Sequence, residues 1–115
     1  MSNKAPSKAE VLQGTLDLMV LQALDSIGPL HGYAIAARLE QVSGGALQLN
    51  MGTLYPALMR LEQRGLIRGT WDTTETNRKA RYYALTASGR RQLTREKQAW
   101  DQMAGIIQTL LHGKA

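Results

Sequence analysis

The chain of 115 residues contains no cysteine, which excludes disulfides and thiolate metal sites and leaves the redox compartment open. Long apolar runs are missing too: Leu18-Met19-Val20-Leu21 is only four residues, far short of the ~20 that span a bilayer. No membrane association is expected. The start, Met1-Ser2-Asn3-Lys4-Ala5-Pro6, has a lysine but no apolar stretch behind it, so no secretory signal is expected and the cytoplasm is the expected location. The only histidines are His31 and His112, without a spaced carboxylate set, and Gly44-Gly45 lacks the Lys-Ser/Thr of a phosphate-binding loop. No metal site, cofactor or enzymatic activity is therefore expected. What remains is a chain that is 43% hydrophobic with a net charge of +5. That is enough for one small domain, and it favours an anionic partner.

Ser7-Lys8-Ala9-Glu10 has the form of a capping box and, after a disordered tail over residues 1–7, predicts a first helix from about Lys8 to Ile27, stopped by Gly28-Pro29. Leu12, Leu16, Met19, Val20, Ala23, Leu24 and Ile27 form a wide apolar stripe on it, while Val11 and Leu18, around Gly14 and Thr15, form a second. A helix apolar on two sides, in a chain with material for one core, points to a homodimer. A second helix, from His31 to about Val42, buries Ile35, Ala36, Leu39 and Val42 and ends at Ser43-Gly44-Gly45. The last helix, about residues 87–112, carries Leu93, Trp100, Met103, Ile107 and Leu110 at seam spacing, widened by Ile106 and Leu111. Together with Val11 and Leu18 these residues are the expected dimer interface.

The strongest functional signal lies between Gly52 and Ile67. Leu54, Leu58 and Leu61 repeat at i, i+4 and i+7, the spacing of a helix that buries one face. Its other face carries Thr53, Tyr55, Met59, Arg60, Gln63 and Arg64, which can bond phosphate, stack or touch a base edge. Asn50 is the expected cap. Pro56 allows a start at Thr53 or, in preference, at Met51 with a loosened first turn. Gly65 ends the helix, and two strands, Leu66 to Trp71 and Ala80 to Leu85, flank the polar loop from Asp72 to Lys79. The expected fold is mainly α with a small β-hairpin: a winged helix-turn-helix over residues 8–86, followed by a C-terminal dimerisation helix over residues 87–115.

Double-stranded DNA is the partner this arrangement suits. Asn50, Met51, Thr53 and Tyr55 are expected in the major groove, with Arg60 and Arg64 at phosphates or paired within the protein around Glu62. His31, Gly32 and Tyr33 open the second helix, whose amides can cap a phosphate. From Arg68 to Arg91 six basic residues stand against Asp72 and Glu75, so most of the net charge lies in and after the hairpin. Asn77, Arg78, Lys79 and Arg81 are accordingly expected to meet DNA as a wing. A solvated helix face and a polar turn kept soluble by charge are the plainer readings, and the adjacency of the two features weighs against both.

Gly14-Thr15-Leu16, Leu30-His31-Gly32-Tyr33, Gly52-Thr53-Leu54-Tyr55-Pro56-Ala57-Leu58, Arg60-Leu61-Glu62, Gly65-Leu66-Ile67, Tyr83-Ala84-Leu85-Thr86, Gly89 and Trp100 together resemble the PadR family of bacterial transcriptional regulators. The match runs in family order from Leu12 to Leu110, and the chain resembles the short form with a single C-terminal helix. The resemblance implies a homodimeric repressor on an inverted-repeat operator, with the last helix crossing to the partner subunit and DNA released by a small aromatic or amphipathic effector. It further implies that Trp100 offers its indole to a flat ligand between subunits, walled by Val11, Gly14, Asp17, Leu18 and Gln22 with Met103 and Ala104 beside it. Packing of Trp100 and Met103 in the dimer seam is the plainer alternative and is at least as well supported. Two other functions stay open: a DNA-binding regulator without an effector, and a winged-helix adaptor that binds protein rather than DNA.

Overall fold

The first helix begins where the capping pattern places it. The computed structural model describes residues 8–113, with side chains from residue 14 onward. The tail, the Ser7 cap and the Val11 side chain fall outside what it describes. Helix α1 (Lys8–Ile27) ends at Gly28, whose φ of 110° is open to glycine and whose amide reaches the Leu24 carbonyl at 3.0 Å. The second helix starts one residue later than expected. Leu30–His31 is a short strand, β1, and α2 is Gly32–Val42 with His31 as its N-cap, Nδ1 accepting from the Ala34 amide at 3.2 Å. Helix α3 (Met51–Gln63) takes the longer of its two possible starts: the Asn50 side chain accepts from the Thr53 amide at 2.9 Å. Pro56 sits inside it, where the amide it lacks would have met the Gly52 carbonyl. Both residues are exposed, so water can serve that carbonyl.

The hairpin strands are longer than the sequence pattern predicted. β2 is Ile67–Thr73 and β3 is Lys79–Leu85, antiparallel, with Gly69 opposite Tyr83, Trp71 opposite Arg81 and Thr73 opposite Lys79. The loop therefore shrinks to residues 74–78, closed by Thr74 N–H to the Arg78 carbonyl at 2.7 Å, and Asn77 adopts a left-handed φ of 62°. Leu30 and His31 pair with Tyr83 and Tyr82, so the hairpin is part of a three-stranded sheet in the order β1-β3-β2. A two-residue strand gives no alternation to read, and its pairing partner lies some fifty residues away.

Leu16, Val20, Leu21 and Leu24 of α1 meet Ile35 and Leu39 of α2, Leu54, Leu58 and Leu61 of α3, Leu66, Ile67 and Tyr83 in one core. Helix α4 (Ala87–His112) enters that core through Leu93, which is 2% exposed. Leu93 thus packs within its own chain and leaves the expected dimer seam. Val42 and Ile27, expected inside, are 67% and 49% exposed, because each stands in the last turn of its helix beyond the reach of the core. The Thr86 hydroxyl caps α4 by accepting from the Gly89 amide at 2.9 Å. Past Trp100 the helix carries Met103, Ile106, Ile107, Leu110 and Leu111, all exposed.

Candidate nucleic-acid interface

The start of α2, the first turns of α3 and the inner face of the hairpin enclose an open groove of about 780 Å³. His31, Gly32, Tyr33, Tyr55, Arg78, Lys79 and Arg81 line it, together with Trp71 and Tyr83. Seven of the expected DNA-facing residues are therefore brought together by the fold. Gly32 is buried because the chain passes closely over α3: a Cβ there would stand 2.7 Å from the Met51 Cε. Met51, partly buried against the core, serves that packing, whereas Asn50 is exposed at the helix tip and Thr53 is partly exposed beside it.

Two of the expected residues, Arg60 and Arg81, have partners within the chain. Arg60 reaches across to α1, where Nη2 donates to Asp17 Oδ1 at 3.2 Å. Asp17, expected in the effector wall, is spent on this ion pair between α1 and α3. Burial pushes its carboxyl above the ordinary 3.8, outweighing the opposite pull of Arg60 and, more weakly, of Arg64. Neither arginine lines the groove. Asn77 forms the hairpin turn through its backbone. Arg81 pairs not with solvent phosphate but with Glu62, whose carboxylate also accepts from the Gly69 amide at 3.3 Å. Its guanidinium lies 6.0 Å from the centre of the Tyr83 ring. Gly69 makes this possible: a Cβ there would fall 2.4 Å from Arg81 Nε. Glu62, Gly69 and Arg81 thus hold the hairpin at a set angle to α3, a role invisible in sequence because the three are neither adjacent nor periodic.

The Asp17–Arg60 pair has an asymmetric consequence. Arg60→Met leaves a half-desolvated carboxylate alone and is expected to lower stability by about 1–2 kcal/mol at pH 7. Asp17→Asn is expected to cost less, since Arg60 is exposed enough to rehydrate. The Asp17 carboxyl has a raised pKa in the folded state and a higher one still without Arg60. The Arg60→Met deficit should therefore shrink as pH falls through those raised values, below which the carboxyl is protonated in both folded proteins. Urea unfolding of both variants between pH 3.5 and 7 checks this; a pH-independent deficit would contradict it.

A second concavity, about 350 Å³, lies between α1 and α4 and is lined by Gly14, Thr15, Leu18, Glu96, Ala99, Trp100 and Met103. Four of the expected effector residues meet here. Asp17 faces Arg60 instead, and Ala104 is not in the lining. Sequence reasoning missed Glu96, which accepts from Gln92 Nε2 at 2.8 Å and places a carboxylate on the same wall as the indole. Trp100 and Met103 are 52% and 53% exposed. Among the described residues no three of His, Asp or Glu cluster closely enough to hold a metal ion, and no helix is long and apolar enough to cross a membrane.

A model of the transcriptional regulator PadR-like family matches residues 20–95. Among solved structures, the chain is similar to a PadR-like transcriptional regulator from Bacillus cereus strain ATCC 14579. Identity is 28% and the TM-score 0.78, covering 91% of this chain and 99% of that one. It is also similar to a PadR family transcriptional regulator from Eggerthella lenta DSM 2243, at 31% identity and a TM-score of 0.75 over 89% and 86% of the two chains. An uncharacterized 37.1 kDa protein in transposon TN4556 of Streptomyces fradiae is 44% identical over 90 residues. That match covers 78% of this chain but 24% of the relative, so the chain spans about a quarter of its length.

Proposed function

The chain belongs to the PadR-like family of transcriptional regulators, which are not enzymes, and we propose that it is a homodimeric, sequence-specific DNA-binding repressor released by a small planar effector. The observation that carries DNA binding is the groove shared by α3 and the hairpin, where Arg78 and Lys79 are exposed beside Tyr33 and Tyr55. A strand of duplex fits such a groove: cations neutralise its phosphates while the tip of α3, with Asn50, Thr53 and Tyr55, faces base edges. The dimer rests on α4. Its second half leaves Ile106, Ile107, Leu110 and Leu111 between 46% and 76% exposed, an apolar face that a monomer would hold in water.

Selection of bound sites from random DNA tests both parts at once. Two half-sites in inverted repeat about one helical turn apart are expected; no enrichment at low salt would favour the adaptor reading instead. The effector rests on the α1–α4 concavity, where the Trp100 indole and Met103 offer a dispersion surface and Glu96 a counter-charge. Planar aromatic cations should quench Trp100 emission in the Trp71→Phe protein and release DNA from the wild-type protein. Absence of both effects would leave a regulator without an effector, with Trp100 packing the seam.

A further inference from the structure

We propose that Trp71 is a DNA-contacting residue of the wing, packing its indole against the deoxyribose face of the strand whose phosphates Arg78 and Lys79 neutralise. This rests on the DNA-binding reading above and adds to it a contact of different chemistry. Trp71 stands near the far end of β2, 66% exposed, on the hairpin face that points into the groove, as its pairing with Arg81 and the pairing of Gly69 with Tyr83 require. A large apolar ring so exposed on a polar, basic hairpin does nothing for the core, which ends at Ile67 and Tyr83.

The side chain best placed to cover it is turned elsewhere. Arg81 is the cross-strand neighbour of Trp71, and a cation in that position ordinarily shields an indole. Here its guanidinium is drawn across Gly69 to Glu62 and the Tyr83 ring. The indole is left open to the groove, between Tyr33 and Tyr55 on the helical wall and Arg78 and Lys79 toward the hairpin end. Charge decides the occupant. Arg78 and Lys79 line the groove against one acid, Glu75, while Arg81, also in the lining, is paired with Glu62. A polyanion with apolar sugar faces between its charges matches that alternation of cation and ring; an acidic peptide would leave the ring against its own polar backbone.

The two kinds of contact separate by salt. Phosphate contacts release counterions, so losing them flattens the dependence of affinity on salt, by roughly 0.9 in the log–log slope per contact. Losing an apolar packing contact lowers affinity at every salt concentration and leaves the slope alone. The experiment uses the whole 115-residue chain and the site recovered by selection, titrated from low to high salt. Trp71→Ala is expected to bind about tenfold more weakly per subunit with an unchanged slope; Arg78→Ala with Lys79→Ala should reduce the slope by roughly 2 per subunit. In a Trp100→Phe background, Trp71 emission should shift to the blue and fall on DNA binding, a readout that keeps Trp71 in place and does not depend on how the alanine variant folds. Wild-type affinity for Trp71→Ala, or unchanged Trp71 emission in a salt-sensitive complex, overturns the Trp71 contact and leaves the DNA reading standing. No salt-sensitive complex of the wild-type chain with any DNA overturns both.

Discussion

Gly89→Ala is expected to destabilise the protein by about 3 kcal/mol, the largest effect of any glycine-to-alanine change in this chain. A Cβ at Gly89 would stand 2.0 Å from the Leu66 carbonyl oxygen and 2.9 Å from its carbon. Both are backbone atoms at the entrance to β2, so no side chain can swing aside to relieve the contact. Moving α4 away is also costly. The same Leu66 oxygen accepts from the Thr86 amide at 3.1 Å, and the Thr86 hydroxyl, which caps the helix, donates to the Gly65 carbonyl at 2.7 Å. Opening the gap by the required ångström or more breaks those bonds and lifts Leu93 from the core. For a domain of this size the loss corresponds to roughly 10–20 °C in melting temperature. Thermal unfolding followed by circular dichroism checks it, and a shift under about 3 °C would show that the helix start can slide freely.

Thr53→Ala with Tyr55→Ala is expected to abolish discrimination between operator and competitor DNA while sparing the fold. The cap of α3 uses the Thr53 amide rather than its hydroxyl, and Tyr55 is 44% exposed and outside the core. The helix should therefore survive both truncations. Each lost base contact is worth about 1–3 kcal/mol, and a two-fold operator counts it twice. Specific affinity should fall by at least ~100-fold toward the non-specific level, where phosphate contacts supply nearly all the binding. Competition assays with operator and unrelated duplexes at fixed salt measure the ratio. A variant that keeps its preference would move sequence reading away from the tip of α3.

Those two outcomes separate what local pattern reveals from what it conceals. The helices were legible because their signals are local: the i, i+4, i+7 leucines of α3, its Asn50 cap, and Gly65 at its end all act within a few residues. The fate of each charged side chain was not. Arg60 finds Asp17 and Arg81 finds Glu62 across 43 and 19 positions of chain. No periodicity announces such pairs: Arg81 read as a cation free for DNA, and Arg60 as a phosphate contact or a partner around Glu62, not as the partner of Asp17. Asn77 read the same way because asparagine suits both a contact and a left-handed turn. Leu93 shares its seam spacing with Trp100 and Met103, and only the position where α4 leaves the core separates the buried residue from the exposed ones.

The amino-acid sequence by itself determined which segments become the four helices and the two hairpin strands, their ends to within a residue or two, and that a basic hairpin follows a short helix. Hydrophobic period, capping and turn chemistry act at short range and need no partner. The tertiary structure alone decided which cations remain available in the groove, that Leu30–His31 joins the hairpin as a third strand, and that Trp71 stands uncovered beside Arg81. Those outcomes depend on which distant groups the packed core brings within bonding distance. A carboxylate from α3 that arrives at the hairpin removes one arginine from service and opens one indole to the groove.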